Sequence, residues 1–245
     1  MRNIIVLFRR ELSAYSTSAA AFGTMVIVLV VTGVGTYFTA RLSRGEPTRI
    51  DVLLFQPLTL WAMALISSAL LPMRLFAEEK KSGTIETLMT APVTEVEVVL
   101  AKYFAALFLF VLMFAPTASY IHILREFSSG IPDIDCAILL SGYLIFLLIG
   151  AFYLSVGLLI SALTSNQTVA ALASFAIIFT MFTTGIVIYM FHANAGSVSE
   201  YVCSFQHILD FSSGIVDSRP IVLYLSGTAL ALFATVKVLE SRRWL

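Results

Sequence analysis

The sequence predicts an all-α membrane protein: six transmembrane helices, an N-terminal interfacial helix ahead of them, and one charged cytoplasmic segment between the second and third. Three observations carry this. Hydrophobic residues make up 59% of the chain and charged residues only 12%, where a soluble domain carries about 25%. Charge-free runs long enough to cross a bilayer recur along the chain. The charges that do occur gather between those runs.

The elements follow from the gaps. No charge falls between Glu11 and Arg41, and 52–73, 103–124 and 220–236 are equally free of charge. The largest gap, Cys136 to Ser199, has room for two spans of roughly 20 residues, and Thr164-Ser165-Asn166-Gln167 is its most polar point. Spans are thus expected near 17–40, 52–74, 99–123, 137–163, 168–191 and 220–239, with Pro220 suited to the first turn of the last. Ahead of them, Ile4, Ile5, Leu7, Phe8 and Leu12 form an apolar face among Arg2, Arg9, Arg10 and Glu11, so residues 2–16 read as a basic amphipathic helix in the headgroup plane. The first apolar stretch is too long for a cleavable signal peptide and is expected to be retained.

Lysine and arginine set the orientation. Arg2, Arg9, Arg10, Arg74, Lys80, Lys81, Lys102, Lys237, Arg242 and Arg243 fall on one side, which is expected to be the cytoplasm together with both termini. Arg41, Arg44, Arg49, Arg125 and Arg219 fall on the other. The outer segment 192–219 holds Tyr201, Phe205, Ile208 and Leu209 at helical spacing, and then a turn signal at Asp210, Ser212, Ser213 and Gly214. It is expected to dip against the outer membrane surface or to cap the bundle. Cys136 and Cys203 lie on that side and read as free apolar cysteines, a disulfide being the alternative.

The polar inventory excludes several functions. Asp, Glu and Arg are missing from the middles of the expected spans, and His122 and His192 sit near the outer ends, which argues against an ion-coupled transporter. A formal net charge of zero gives no case for nucleic acid. No catalytic constellation, cofactor site or metal-ligand cluster stands out, and no phosphate-binding Gly-x-x-x-x-Gly-Lys-Ser/Thr loop is present, so the chain is not expected to hydrolyse ATP.

The segment Arg74–Lys102 is a charged island expected to sit in water. Gly83 is expected to cap a short helix, with Glu86 three residues on, and Ile85, Leu88 and Met89 share one face of it. Pro92 closes that helix near Thr90. Thr94-Glu-Val-Glu97 is a capping-box pattern that starts the third span, and Glu95 and Glu97 suit the positive end of that helix.

The stretch Phe76-Ala-Glu-Glu-Lys-Lys-Ser-Gly-Thr-Ile-Glu-Thr-Leu-Met-Thr-Ala-Pro-Val-Thr94 resembles the signature of ABC-2 type transporter permeases, with its acidic pair, Gly-Thr, Glu, leucine-rich turn and Pro. Leu158–Gln167 resembles that family's second cytoplasmic turn. Leu239-Glu-Ser-Arg-Arg-Trp-Leu245, with Phe211–Asp217 before it, is similar to the gliding-motility-type branch, although Ser213 stands where members of that branch often carry Arg. The resemblance covers essentially the whole chain. It implies one permease domain over 1–245, with 2–16 as an elbow helix and 74–102 as the coupling segment, in a bacterial inner membrane. It implies an ATPase contact at Glu78, Glu79, Gly83, Thr84, Ile85, Glu86, Leu88, Met89 and Pro92, with residues 84–90 as the coupling helix and Thr164, Ser165, Asn166 and Gln167 as a smaller second contact. It further implies an exporter, with ATP and Mg held by a separate ABC ATPase, a second permease copy or paralogue, and an auxiliary protein with an outer domain. The alternative is a membrane anchor of a motility or secretion complex with no transport of its own.

Overall fold

The computed structural model describes residues 2–16, 19–42, 50–84, 93–121, 136–191, 201 and 203–242. Among them the regular structure is helical: α1 Arg2–Ser16, α2 Ala19–Leu42, α3 Ile50–Phe55, α4 Leu58–Ser82, α5 Glu95–Phe114, α6 Cys136–Leu163, α7 Gln167–Phe191, α8 Ser204–Ser212 and α9 Ser218–Arg242. Six of these, α2, α4, α5, α6, α7 and α9, are long and apolar enough to cross a membrane. This is a multi-pass, all-α membrane protein.

The expected spans are all present, with shifted ends. The second is the clearest case. A run expected from residue 52 breaks at Gln56-Pro57 into the short α3 and a separate α4. The other end of α4 runs on past Arg74 to Ser82, so the first third of the charged island is helix continuous with the span. At the far end of α5, Pro116 falls early in a 3-10 turn over Ala115–Ser119. Proline cannot supply the N–H that would carry an α-helix onward.

The core runs through α4, α5 and α6. Trp61 stacks on Phe182 at 5.0 Å and meets Phe146 and Phe205 edge-on at 6.2 and 6.1 Å. Its indole N–H donates to the Phe55 carbonyl, so α3 is fixed to the same hub. Helices α4 and α6 approach closely because Gly157 stands opposite Pro72: a Cβ there would lie 2.9 Å from the Ser68 carbonyl oxygen. That carbonyl is the one Pro72 leaves without its helical partner. One turn on, Ser161 Oγ accepts from Phe76 N–H (3.3 Å) and Ala77 N–H (3.2 Å) and donates to the Met73 carbonyl (3.2 Å). Ser161 thus ties α6 to the turn of α4 that follows Pro72.

The outer helix α8 is buried in the bundle end against α6. It turns a different face inward from the one the spacing predicts. His207, Ile208 and Phe211 are buried, Phe205 and Leu209 are half-buried, and Tyr201 is exposed. Gly214, with φ +86°, makes the turn after it. Cys136 and Cys203 are both free.

Candidate functional site: the charged end of the bundle

The charged island begins inside the bundle. Leu75, Phe76 and Ala77 of α4 are buried, Glu78 is exposed, and Glu79 turns back inward. Glu79 Oε1 accepts from Lys102 Nζ of α5 at 2.8 Å and from Arg10 Nη2 of α1 at 2.9 Å. Glu11 Oε1 accepts from the same two groups, at 3.1 Å from Lys102 and 2.7 Å from Arg10. The four charges close a ring of alternating sign that joins α1, α4 and α5.

Lys102 is the centre of this ring, and its side chain is only 2% exposed. It also lies over the Phe76 ring, 5.3 Å from the centroid. Lys102, expected to mark the watery end of the island, is therefore one of the most buried side chains described. A buried ammonium is tolerated only when paired, and the two carboxylates supply the pairing. Burial works against the Arg10 charge too, but Glu11 and Glu79 outweigh it and hold the guanidinium above its ordinary value.

Further bonds fix α1 on both neighbours. Tyr15 Oη donates to the Leu71 carbonyl of α4 at 2.6 Å, and burial pushes its phenol up. Asn3 Nδ2 donates to Glu97 Oε2 at 3.5 Å. That Glu97 belongs to the expected capping box. Thr94 Oγ1 accepts from Glu97 N–H at 3.3 Å, and Glu97 Oε2 accepts from Thr94 N–H at 3.2 Å. The first turn of α5 is thus closed on itself and tied to α1.

Gly83 closes the helix on its N-terminal side. It ends α4 in the left-handed region, φ 73°, with its N–H turned to the Lys80 carbonyl. It caps the helix before it, because a positive φ suits a helix C-terminus. Thr84 is helical and exposed, and its Oγ1 lies 2.9 Å from Ser82 Oγ. Ile85, Glu86, Leu88, Met89 and Pro92 lie outside the described residues.

The second expected contact is brought to the same end. Lys80 Nζ donates to the Ala162 carbonyl in the last turn of α6, where a cation also meets the negative end of the helix dipole. Two residues later the chain turns. Thr164 Oγ1 accepts from Asn166 N–H at 3.2 Å, and Asn166 Oδ1 accepts from Thr168 N–H at 3.0 Å, capping α7. Ser165 and Asn166 are exposed, and Thr164 and Gln167 are half-buried. Lys80 therefore links the tip of α4 to the Thr164–Gln167 turn.

Local sequence signals could reach the capping box and the Asn166 turn. They could not reach the ring, because Glu11 lies 91 positions from Lys102. The one available clue was that Lys102 falls five residues past a helix start already capped at Glu97, within an otherwise apolar run.

A family model described as "ABC-2 family transporter protein" matches residues 52–242, which spans α4 to α9. Comparison with curated proteins gives no match.

Proposed function

The chain belongs to the ABC-2 family of transporter proteins, and from that premise we propose that it couples ATP hydrolysis by a separate ATPase to export of a substrate. An ABC-2 permease is the non-catalytic membrane component of its transporter and works with an ABC ATPase subunit. In this reading the charged end faces the cytoplasm, in keeping with the lysine and arginine distribution. The membrane is a bacterial inner membrane, two permease chains pair, and the Leu239–Leu245 end points to the gliding-motility-type branch.

The observation that carries the reading is the ion ring around Lys102. A docking segment can do work only if it is attached to the spans on each side. Here the segment 84–92 is bounded by the Gly83 cap of α4 and the Thr94 capping box of α5. The ring then locks those two helices to each other and to α1. A displacement of residues 84–90 by the ATPase would be shared by α4, α5 and α1. Leu88 and Met89 are assigned to the ATPase groove, together with Ile85. Glu78 is assigned to its rim, and Glu79 to the ring behind it. Thr164–Gln167 supplies the smaller contact, held in step by Lys80.

The test is co-purification of the full chain with its ATPase. Leu88→Asp combined with Met89→Asp is expected to lose the ATPase while the chain keeps its thermal unfolding midpoint in detergent. A double variant that retains the ATPase and its full activity overturns the assignment.

A further inference from the structure

We propose that the corner between α1, α2 and α5 binds an anionic phospholipid, with its headgroup at Arg9 and one acyl chain in the cavity behind α1. That cavity has a volume of about 300 Å³. Tyr15, Leu71 and Met113 form its floor and are buried, whereas Phe22, Phe108 and Leu112 stand at its mouth and are exposed. Helix α2 contributes Ala21, Phe22 and Met25, so the cavity lies along the first two turns of that span, where α1 hands over to it.

The cavity offers apolar contact alone. Its wall holds two hydroxyls, and both are turned to backbone carbonyls: Tyr15 Oη donates to Leu71 at 2.6 Å, and Ser13 Oγ to Arg10 at 2.8 Å. A cavity so lined stays dry. It is also too small for a helix, one turn of which, about 10 Å across and 5.4 Å tall, occupies roughly 400 Å³. An acyl chain enters where a helix cannot.

Charge decides the headgroup. Ile5, Val6, Arg9 and Arg10 are exposed on α1, while Glu11, the acid of that helix, is turned inward. The outer surface of α1 thus mixes apolar and cationic groups, which suits a leaflet that carries anionic lipid. Arg10 is held by Glu11 and Glu79, but among the described residues none pairs with Arg9. Arg9 stands one turn, about 6 Å, before Ser13 on the cavity wall. A guanidinium so placed can donate two parallel bonds to the phosphate of a lipid whose tail has entered the cavity. A zwitterionic lipid brings a cation of its own to the same place.

The experiment uses the full chain in phosphatidylcholine nanodiscs doped with a photoactivatable-tail lipid, either phosphatidylglycerol or phosphatidylcholine with the same tails. Cross-linked positions are mapped by mass spectrometry. No ATPase is added, so the outcome is independent of the coupling role. Phosphatidylglycerol is expected to label Phe22, Met25, Phe108 and Leu112 about fivefold more than phosphatidylcholine, in line with one cation near an anionic headgroup. Labelling at Leu230, exposed on α9, serves as the internal standard and should not depend on headgroup. Arg9→Gln should abolish the preference and keep the tail labelling, and Arg9→Lys should retain most of it. Met25→Trp, which fills the cavity, should lower labelling by both lipids at Phe108 and Leu112 and leave Leu230 unchanged. Equal labelling by the two lipids in the wild-type chain overturns the proposal, as does a preference that survives Arg9→Gln or cavity labelling that survives Met25→Trp.

Discussion

At the α1 end of the bundle, four full charges with Lys102 at their centre hold three helices together; at the opposite end, α8 is held by hydroxyls and an imidazole. There Ser204 Oγ lies 3.0 Å from Tyr153 Oη and accepts from Tyr224 Oη at 3.1 Å. His207 Nδ1 lies 2.7 Å from Tyr224 Oη, and with the phenol proton on Ser204 the imidazole is the donor. The neutral cluster is buried, and the ring buries Lys102 and Glu11 while Arg10 stands exposed at its rim; both join helices distant in sequence. They differ in what happens when one member is lost. Removing a neutral partner leaves a dipole unsatisfied, whereas removing Lys102, the buried member of the ring, leaves an excess negative charge at a buried site. The α1 end is therefore the more brittle one, and its helices must keep their relative positions or lose the ring altogether. That is the property the proposed coupling role would require.

The largest expected effect is from Lys102→Met, which leaves Glu11 and Glu79 to share Arg10 alone and should lower stability by about 3–5 kcal/mol. Adding Glu79→Gln should recover a substantial part of the loss, because Glu11 keeps Arg10 as its partner. Thermal unfolding of the two variants and of Glu79→Gln alone completes a double-mutant cycle. Additive losses would show that the ring is not a unit. A smaller effect is expected at the neutral end. Tyr224→Phe removes one hydroxyl from a cluster whose Ser204–Tyr153 contact remains, at a cost of about 1–3 kcal/mol. If Tyr224→Phe cost as much as Lys102→Met, the contrast between the two ends would fail.

The contrast also explains what the sequence could disclose. The spans, the Thr94–Glu97 capping box and the turn at Asn166 rest on local rules, and each is found at its expected place. Asp217 follows the same kind of rule at the start of α9, its Oδ1 accepting from Arg219 N–H at 3.0 Å, beside the more conspicuous Pro220. Gly83 satisfies two local rules at once. Only the continuation of α4 through Lys81, packed by Phe76 and Ala77, decides that it ends a helix. By sequence Lys102 is expected in water, because a lysine beside a span normally marks the interface. Its burial depends on Glu11 and Glu79, which no local pattern connects to it. Likewise the face of α8 is set by Tyr153 and Tyr224 drawing Ser204 and His207 inward, against the more apolar stripe through Phe205 and Leu209.

The claim at the centre of this account is that the ring makes α1, the tip of α4 and the base of α5 move with the docking segment as one body. Backbone hydrogen exchange of the permease–ATPase complex, with and without a non-hydrolysable nucleotide, tests it directly. In the wild-type complex nucleotide is expected to change protection in 84–92, 95–102 and 2–16 together, and in Lys102→Met in 84–92 alone. An identical spread of changes in both proteins would contradict the account.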